Sequence, residues 1–289
     1  MNRIGIVQGR LSPPVDGRIQ AFPRDTWREE FPRARSAGLQ CLEWIYETAG
    51  AETNPIASRE GVAELRDLVA THGVSVAALC ADYLMEHPVL AAADIKAGGA
   101  SDVVAWLVEQ CRQARIARLV LPFVGGNAVR STEDGAEIGR RVRAWAALAD
   151  AASVDLHLET SLGPAASREL LDRIAHSRVW LTYDIGNSIQ FGYRATDELP
   201  AYGARIGSVH VKDAMRGGTT VRLGTGHADF DYCFRYLAAL DYRGDYVIQG
   251  ARVAGADDVE LAREYRAFVQ RHLAVAAGTA ATPGVVVPR

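Results

Sequence analysis

The sequence has little cysteine, and the cysteines that it has are not paired. Only four occur among 289 residues, and no two of them stand in a Cys-x-x-Cys arrangement. A structural zinc site built from thiolates and a dithiol redox motif both depend on such pairs. We therefore expect Cys41, Cys80, Cys111 and Cys233 to be buried, reduced thiols.

A membrane span and an excess of positive charge are also absent. No run approaches the roughly 20 apolar residues that a spanning helix needs, and the N-terminus enters a strand instead of forming a signal peptide. The formal net charge is -3, so no general basic surface attracts nucleic acid or an anionic membrane. These absences predict a cytoplasmic protein that acts on a small polar molecule, with neither nucleic acid nor a membrane as partner.

What the sequence does contain is the composition of a folded protein. Hydrophobic residues make up 48% of it and charged residues 23%, which is enough apolar material for a large core. A chain of 289 residues can form two small domains, or one β/α barrel of roughly 250 residues with a tail. Length leaves both arrangements open.

Eight short apolar or β-branched runs alternate with amphipathic stretches of helical length. The runs are Ile4–Val7, Leu39–Ile45, Val74–Cys80, Ile116–Phe123, Val154–Leu158, Val179–Tyr183, Ile206–Val211 and Tyr246–Ile248. Since parallel strands need long crossover connections, strict alternation predicts a parallel sheet, and eight units favour a closed barrel. We predict one (β/α)8 TIM barrel over residues 1–273, with its last helix at Asp258–Leu273. The aperiodic residues 274–289 predict a flexible tail.

Polar side chains stand at the ends of the last four runs, where barrel enzymes carry their reacting groups. Strand alternation points Glu159, Asp184, His210 and Gln249 into the barrel at similar heights. Two carboxylates, an imidazole and an amide oxygen suit a hard divalent ion, Mn²⁺ first, with Mg²⁺, Co²⁺ or Zn²⁺ as alternatives. A single inward His or Asp is more often a hydrogen-bonded residue of the core than a metal ligand. Gln249 could bind a substrate hydroxyl instead of the ion.

Further polar residues near the strand ends are candidate substrate contacts. Lys212 shares the face of His210 and could polarise a carbonyl or meet a phosphate, unless it pairs with a loop carboxylate. The other candidates are Glu43, Asp82, Arg10 and Arg252. The two acids could instead form hydrogen bonds at the barrel mouth or cap a helix. The guanidinium groups of the two arginines suit an anionic substrate group, but arginines in loops are ordinarily solvated.

Four short motifs then occur in a fixed order along the chain. They are Leu158-Glu159-Thr160, Asp184-Ile185-Gly186-Asn187, His210-Val211-Lys212-Asp213 and the loop from Leu223 to Phe230. Each is weak alone, but the ordered set resembles the xylose isomerase-like superfamily of sugar phosphate isomerases and epimerases, from about Arg3 to Leu273. The resemblance implies a Glu, Asp, His, Glu metal set, which falls on Glu159, Asp184 and His210 but meets Gln249 at the fourth place.

The same resemblance implies a metal-dependent isomerase or epimerase acting on a ketose, sugar phosphate or related polyol. Proton abstraction next to a carbonyl would pass through a metal-stabilised enediolate, with Glu159 as the base and Lys212 or metal-bound water handling the second proton. Ketose 3-epimerases of this superfamily use two glutamates on opposite faces of the substrate, a role that Gln249 cannot fill. Asn187 stands where related epimerases carry His, and it can bind a substrate hydroxyl.

Gln249 keeps other functions open. An inosose-type dehydratase shares the metal and the first proton abstraction but expels a hydroxyl, and a catalytically silent barrel would only bind sugar. An abasic-site nuclease of the same fold needs further metal ligands and a basic groove, against which the net charge of -3 argues. The sequence leaves a homo-oligomer open.

Overall fold

Eight parallel strands close into a barrel in the computed structural model of this chain, which describes residues 2–91 and 99–280. The barrel strands are β1 (Ile4–Val7), β2 (Cys41–Ile45), β3 (Ser75–Cys80), β4 (Arg118–Phe123), β5 (Asp155–Thr160), β6 (Val179–Asp184), β7 (Ile206–Val211) and β10 (Asp245–Ile248). Their order around the barrel is β1, β10, β7, β6, β5, β4, β3, β2. The predicted closed barrel is confirmed. An antiparallel ribbon of β8 (Asp213–Ala214) and β9 (Thr220–Val221) follows β7.

Helices occupy the connections between the strands. They are α1 (Glu30–Ser36), α2 (Arg59–His72), α3 (Tyr83–Glu86), α4 (Ala100–Ala114), α5 (Thr132–Ala152), α6 (Pro164–Ile174), α7 (Ile185–Gln190), α8 (Ala195–Tyr202), α9 (Phe230–Ala239) and α10 (Asp258–Ala280). Polar side chains cap several of them: Ser58 accepts from the first turn of α2, and Ser131 from that of α5. Among the described residues, no helix combines the length and the apolar character needed to cross a membrane.

The end of α10 differs from the sequence prediction. The predicted helix ends at Leu273, whereas α10 continues to Ala280, so the predicted tail begins too early. The added turns are rich in alanine, the strongest helix former, and their lack of amphipathic periodicity concealed the helix. Residues 281–289 of the predicted tail lie outside the described residues, and their flexibility stays a prediction.

The apolar core has an inner and an outer layer. Ala78, Cys80 and Val120 pack together as a separate cluster of buried side chains, while Trp44 lies outside the strands against Trp27 and Phe31. All four cysteines of the chain are buried and free, which confirms the predicted reduced thiols. The packed interior leaves polar side chains to gather at the ends of the strands.

Candidate metal centre

Three strand ends bring two carboxylates and one imidazole together at the C-terminal mouth of the barrel. Glu159 lies near the end of β5, Asp184 is the last residue of β6, and His210 lies on β7. Their exposed fractions are 6%, 5% and 0%, and one ligand atom from each lies within 4.8 Å of the other two. The three side chains converge as strand alternation predicts. That they bind an ion stays a prediction.

One nitrogen of His210 faces the two carboxylates, and the other faces Glu43. Oε2 of Glu159 and Oδ2 of Asp184 each lie 3.9 Å from Nδ1 of His210. On the opposite side of the ring, Nε2 lies 2.8 Å from Oε1 of Glu43 in a buried charge contact. A carboxylate in this position keeps the proton on Nε2 and leaves Nδ1 for a metal ion. Glu43, predicted as a substrate contact, therefore lies behind the imidazole.

Asn187, in the first turn of α7, holds both carboxylates. Its backbone N–H donates to Oδ1 of Asp184 at 2.8 Å, and its side-chain Nδ2 donates to Oε1 of Glu159 at 2.7 Å. Asn187 thereby occupies one oxygen of each carboxylate, and the other oxygen of each faces Nδ1 of His210. The sequence predicts that Asn187 binds substrate. The structure shows that it binds the carboxylates of Asp184 and Glu159, and a substrate contact stays a prediction.

Lys212 reaches the centre from the residue that follows β7. Its Nζ donates to Oδ1 of Asn187 at 2.7 Å and lies 3.5 Å from Oδ2 of Asp184. The stem of the lysine passes Gly186, where an added Cβ would collide with the lysine Cγ and Cβ. Glycine at this position therefore gives the ammonium group its route to the centre. Lys212 therefore lies at the centre, beside Asp184, and its catalytic role stays a prediction.

Burial and neighbouring charges shift the titration of the centre. Burial raises the pKa of Glu159 above its usual value, and the nearby Asp184 carboxylate raises it further, although His210 opposes both. Burial alone would lower the pKa of His210, but Glu43, Glu159 and Asp184 outweigh it and raise this pKa to about 9. In the absence of a metal, the side chain of His210 is therefore a charged imidazolium at neutral pH, with a proton on each nitrogen.

The residues of this centre fit a divalent cation. Nδ1 of His210 is buried and has no hydrogen-bond partner among the described residues, and such an unpaired polar atom costs about 1–3 kcal/mol. Two buried carboxylates beside it repel each other. A cation would use the nitrogen lone pair and balance both charges. Two carboxylate oxygens with one imidazole suit Mn²⁺, Mg²⁺, Co²⁺ or Zn²⁺.

Metal binding at this centre should release a proton at neutral pH. The pKa of His210 is about 9, so an ion must displace the Nδ1 proton before that nitrogen can coordinate it. We expect the release of at least about one proton for each Mn²⁺ bound. The affinity for Mn²⁺ should weaken about tenfold for each pH unit below that pKa. Calorimetry in two buffers of different ionisation enthalpy counts the protons. Binding without proton release at neutral pH would contradict the placement of Nδ1 at the ion.

Gln249 is the first residue after β10, and its side chain joins a short chain of polar groups. Its backbone N–H donates to the carbonyl of Val211 at 3.0 Å, which keeps it beside β7. Its Nε2 donates to Oε1 of Gln20 at 2.9 Å, and Nε2 of Gln20 donates to Oδ2 of Asp82 at 2.8 Å. Burial raises the pKa of Asp82 to about 6. Oε1 of Gln249 is buried and has no hydrogen-bond partner among the described residues.

The two candidate arginines bind backbone carbonyls at the mouth. Nε of Arg10 donates to the carbonyl of Gly250 at 3.1 Å, and its guanidinium also donates to that of Ile19. Nη1 of Arg252 donates to the carbonyl of Ser12 at 2.9 Å and lies 3.4 Å from a carboxylate oxygen of Asp258. Both arginines thus connect the loop after β1 to the loop after β10, and their contact with an anionic substrate group stays a prediction.

Asp213 organises the glycine-rich loop that follows the ribbon. Its two carboxylate oxygens accept from the backbone N–H groups of Ala214, Gly224, Gly226 and Ala228 at 2.8–3.2 Å. A Cβ on Gly226 would collide with the carboxylate, so only glycine permits this approach. The loop is therefore a structural element next to the mouth. The two motifs are therefore in contact, and an acid followed by a glycine-rich loop is the sequence signal for this contact.

A layer of polar side chains lies beneath the three candidate ligands. Nδ1 of His157 lies 2.8 Å from Oγ of Ser208, and Oγ1 of Thr182 lies 2.9 Å from the same atom. These residues occupy β5, β7 and β6, two positions before Glu159, His210 and Asp184 respectively. Burial lowers the pKa of His157 well below its usual value. His157 is therefore a neutral support for the centre, and Ser208 is a residue that sequence reasoning missed.

Most of the chain matches a known protein family. The match is to the family model described as a xylose isomerase-like TIM barrel, over residues 31–285. No curated protein matches the sequence.

Several solved structures share the fold along nearly their whole length. An L-ribulose 3-epimerase has a TM-score of 0.78 at 18% identity, with 99% of this chain and 100% of that one covered. A D-allulose 3-epimerase from Methylomonas sp., in complex with D-allulose, has a TM-score of 0.73 at 17% identity, with 94% and 97% covered. An IOLI protein with a binding zinc atom has a TM-score of 0.76 at 13% identity, with 94% and 98% covered. At these identities the likeness shows the fold alone.

Proposed function

Since the chain belongs to the xylose isomerase-like TIM barrel family, we propose that it is a metal-dependent isomerase or epimerase of a ketose, sugar phosphate or related polyol. One observation carries this proposal. Oε2 of Glu159, Oδ2 of Asp184 and Nδ1 of His210 surround one point at the mouth of the barrel, and the nitrogen has no other partner among the described residues. Two of the three similar structures described above are sugar epimerases.

Glu159, Asp184 and His210 would hold the ion, with Gln249 as the fourth candidate. The bound ion would supply a Lewis acid that stabilises negative charge developing on the substrate's oxygens. Glu159 is the candidate base, because burial raises its pKa towards the range in which a carboxylate accepts a carbon-bound proton. Asn187 holds Oε1 of Glu159 and so fixes the orientation of its carboxylate.

The return of the proton needs a second group. Lys212 is the candidate, since its ammonium group lies next to Asp184 and is held there by Asn187. An ammonium can donate a proton to a carbon or an oxygen atom of the substrate and recover it from solvent. Asp82, Arg10 and Arg252 lie at the mouth and are the further candidates for contacts with the sugar.

A dehydratase of the inosose type is the second candidate function, and Gln249 favours it. An amide cannot accept and return a proton at neutral pH, so a two-base exchange across opposite faces of the substrate lacks its second carboxylate. Elimination of a hydroxyl needs only one base at the carbon and a donor at the leaving oxygen. Glu159 and Lys212 supply that pair.

Deuterium exchange tests the proposed function. The protein is incubated in heavy water with Mn²⁺ and a panel of ketoses, sugar phosphates and inososes, and the products are read by NMR and mass spectrometry. We expect one class of compound to gain deuterium at the carbon next to its carbonyl. Chelator treatment should abolish the exchange, and Mn²⁺, Co²⁺ or Mg²⁺ should restore it.

The products distinguish the candidate functions. A rearranged or inverted sugar supports an isomerase or epimerase, and loss of water supports a dehydratase. Saturable sugar binding without exchange would instead identify a silent sugar-binding barrel. Undiminished exchange in the metal-free protein would overturn the metal-dependent mechanism.

A further inference from the structure

Gln20, in the loop between β1 and α1, links Gln249 to a buried carboxylate. Its Nε2 donates to Oδ2 of Asp82 at 2.8 Å, and its Oε1 accepts from Nε2 of Gln249 at 2.9 Å. The other carboxylate oxygen of Asp82 lies 3.1 Å from Sγ of Cys80, which donates to it. Asp82 therefore uses both oxygens as acceptors.

The charge of Asp82 determines which way both amides point. A side-chain amide has one donor end and one acceptor end, whereas a carboxylate only accepts. Asp82 therefore takes the NH₂ group of Gln20, which turns the oxygen of Gln20 towards Gln249. Gln249 must donate to that oxygen from its own NH₂ group, so the oxygen of Gln249 points away from Gln20.

The side chain of Gln249 lies on the inner face of the barrel at its mouth. The register pairs Val247 with His210, and Gln249 lies two residues beyond Val247 on the same face. Its Oε1 is buried and unpaired among the described residues, like Nδ1 of His210. An unpaired buried acceptor is costly, and a cation or a substrate hydroxyl would satisfy it.

We propose that Asp82 and Gln20 are positioning residues that present the oxygen of Gln249, and never its NH₂ group, to the metal centre. The inference rests on the proposed function, because it assigns a task to the fourth side chain of that centre. Asp82 was predicted as a substrate contact, and Gln20 was not predicted at all. Neither of them would coordinate the ion directly.

The hydrogen-bonded chain of Asp82, Gln20 and Gln249, here called the relay, also accounts for an amide at position 249. A carboxylate there would compete with Asp82 for the single NH₂ group of Gln20, and one of the two would face the oxygen of Gln20 instead. Two acceptors in contact repel each other. An anionic fourth side chain is therefore disfavoured as long as Asp82 and Gln20 are both present.

A double-mutant cycle tests the relay by metal affinity. Mn²⁺ binding is measured by calorimetry for the wild type, Asp82→Asn, Gln249→Glu and the double variant. The asparagine amide can donate to Oε1 of Gln20, which frees the NH₂ group of Gln20 for the new carboxylate. We expect Gln249→Glu to tighten Mn²⁺ binding about fivefold more in the Asp82→Asn background than in the wild type.

The same cycle in a Gln20→Met background separates the relay from direct repulsion. Methionine matches glutamine in length but neither donates nor accepts strongly, so the two substitutions should then be additive. Gln113→Met makes the same exchange on the surface of α4 and should leave the coupling unchanged. Thermal unfolding shows that each variant is folded.

Two results would overturn the relay: coupling of equal size without Gln20, or additivity with Gln20 present. A wild type that binds no Mn²⁺ would overturn it together with the metal centre. Absence of deuterium exchange with the coupling intact would overturn only the proposed reaction.

Discussion

Glu159→Gln should lower deuterium exchange into the substrate by a factor of about 10² to 10⁴, the usual contribution of a general base. The substitution keeps the size of the side chain but removes its basicity. It should weaken metal binding as well, because Nδ2 of Asn187 donates to Oε1 and will select the amide oxygen. The NH₂ group then takes the place of Oε2, 3.9 Å from Nδ1 of His210, where it would repel a cation.

Asp184→Asn distinguishes the role of Glu159 as a base from its role as a metal ligand. It weakens metal binding but leaves Glu159 in place, so excess Mn²⁺ should restore exchange in this variant and not in Glu159→Gln. Glu169→Gln removes an exposed charge on α6, where Glu169 pairs with Arg173, and should change neither quantity. Full restoration of Glu159→Gln by excess metal would remove Glu159 as the base and leave it only as a ligand.

Gln249→Glu should tighten Mn²⁺ binding about tenfold, because an anionic ligand attracts the ion more strongly than a neutral amide. Calorimetry measures this change. The new carboxylate also adds a base, so a scaffold that is otherwise that of a 3-epimerase should gain exchange of the C3 proton of a ketose with solvent. Competition with Asp82 for Gln20 limits the gain in affinity, and Asp82→Asn should release it.

Other outcomes of Gln249→Glu are equally informative. If Gln249 orients a leaving hydroxyl, native activity should fall and no epimerisation should appear, as expected for a dehydratase. Unchanged or weaker metal affinity, in the wild-type and Asp82→Asn backgrounds alike, would show that Gln249 is not a ligand.

Alternation along the sequence predicts the barrel because each of its units is local. A run such as Val179–Tyr183, followed by a helix and then by another parallel strand, forms a right-handed crossover. Eight such units bring the strand ends to one mouth. The period of two along a strand then places Glu159, Asp184 and His210 on the inner face. Their convergence follows from local patterns, and the structure bears it out.

Contacts across the mouth could not be predicted in this way. Whether Glu43 on β2 meets His210 on β7 depends on the tilt and stagger of the closed barrel, which no local period reveals. The path of the loop that carries Gln20 depends on the tertiary structure, and a glutamine in a loop is ordinarily solvated. The same limit concealed the carbonyl contacts of Arg10 and Arg252, whose charge suggested an anionic ligand instead.

The location of a bound ion tests the proposed metal centre most directly. Crystals grown with Mn²⁺ give an anomalous difference map, in which the ion appears without reference to any assumed substrate. We predict one strong peak per chain, coordinated by Oε2 of Glu159, Oδ2 of Asp184 and Nδ1 of His210, and absent from crystals of His210→Ala. A saturated crystal with no peak between these atoms, or with its peak held by other residues, would contradict the metal centre and the function proposed from it.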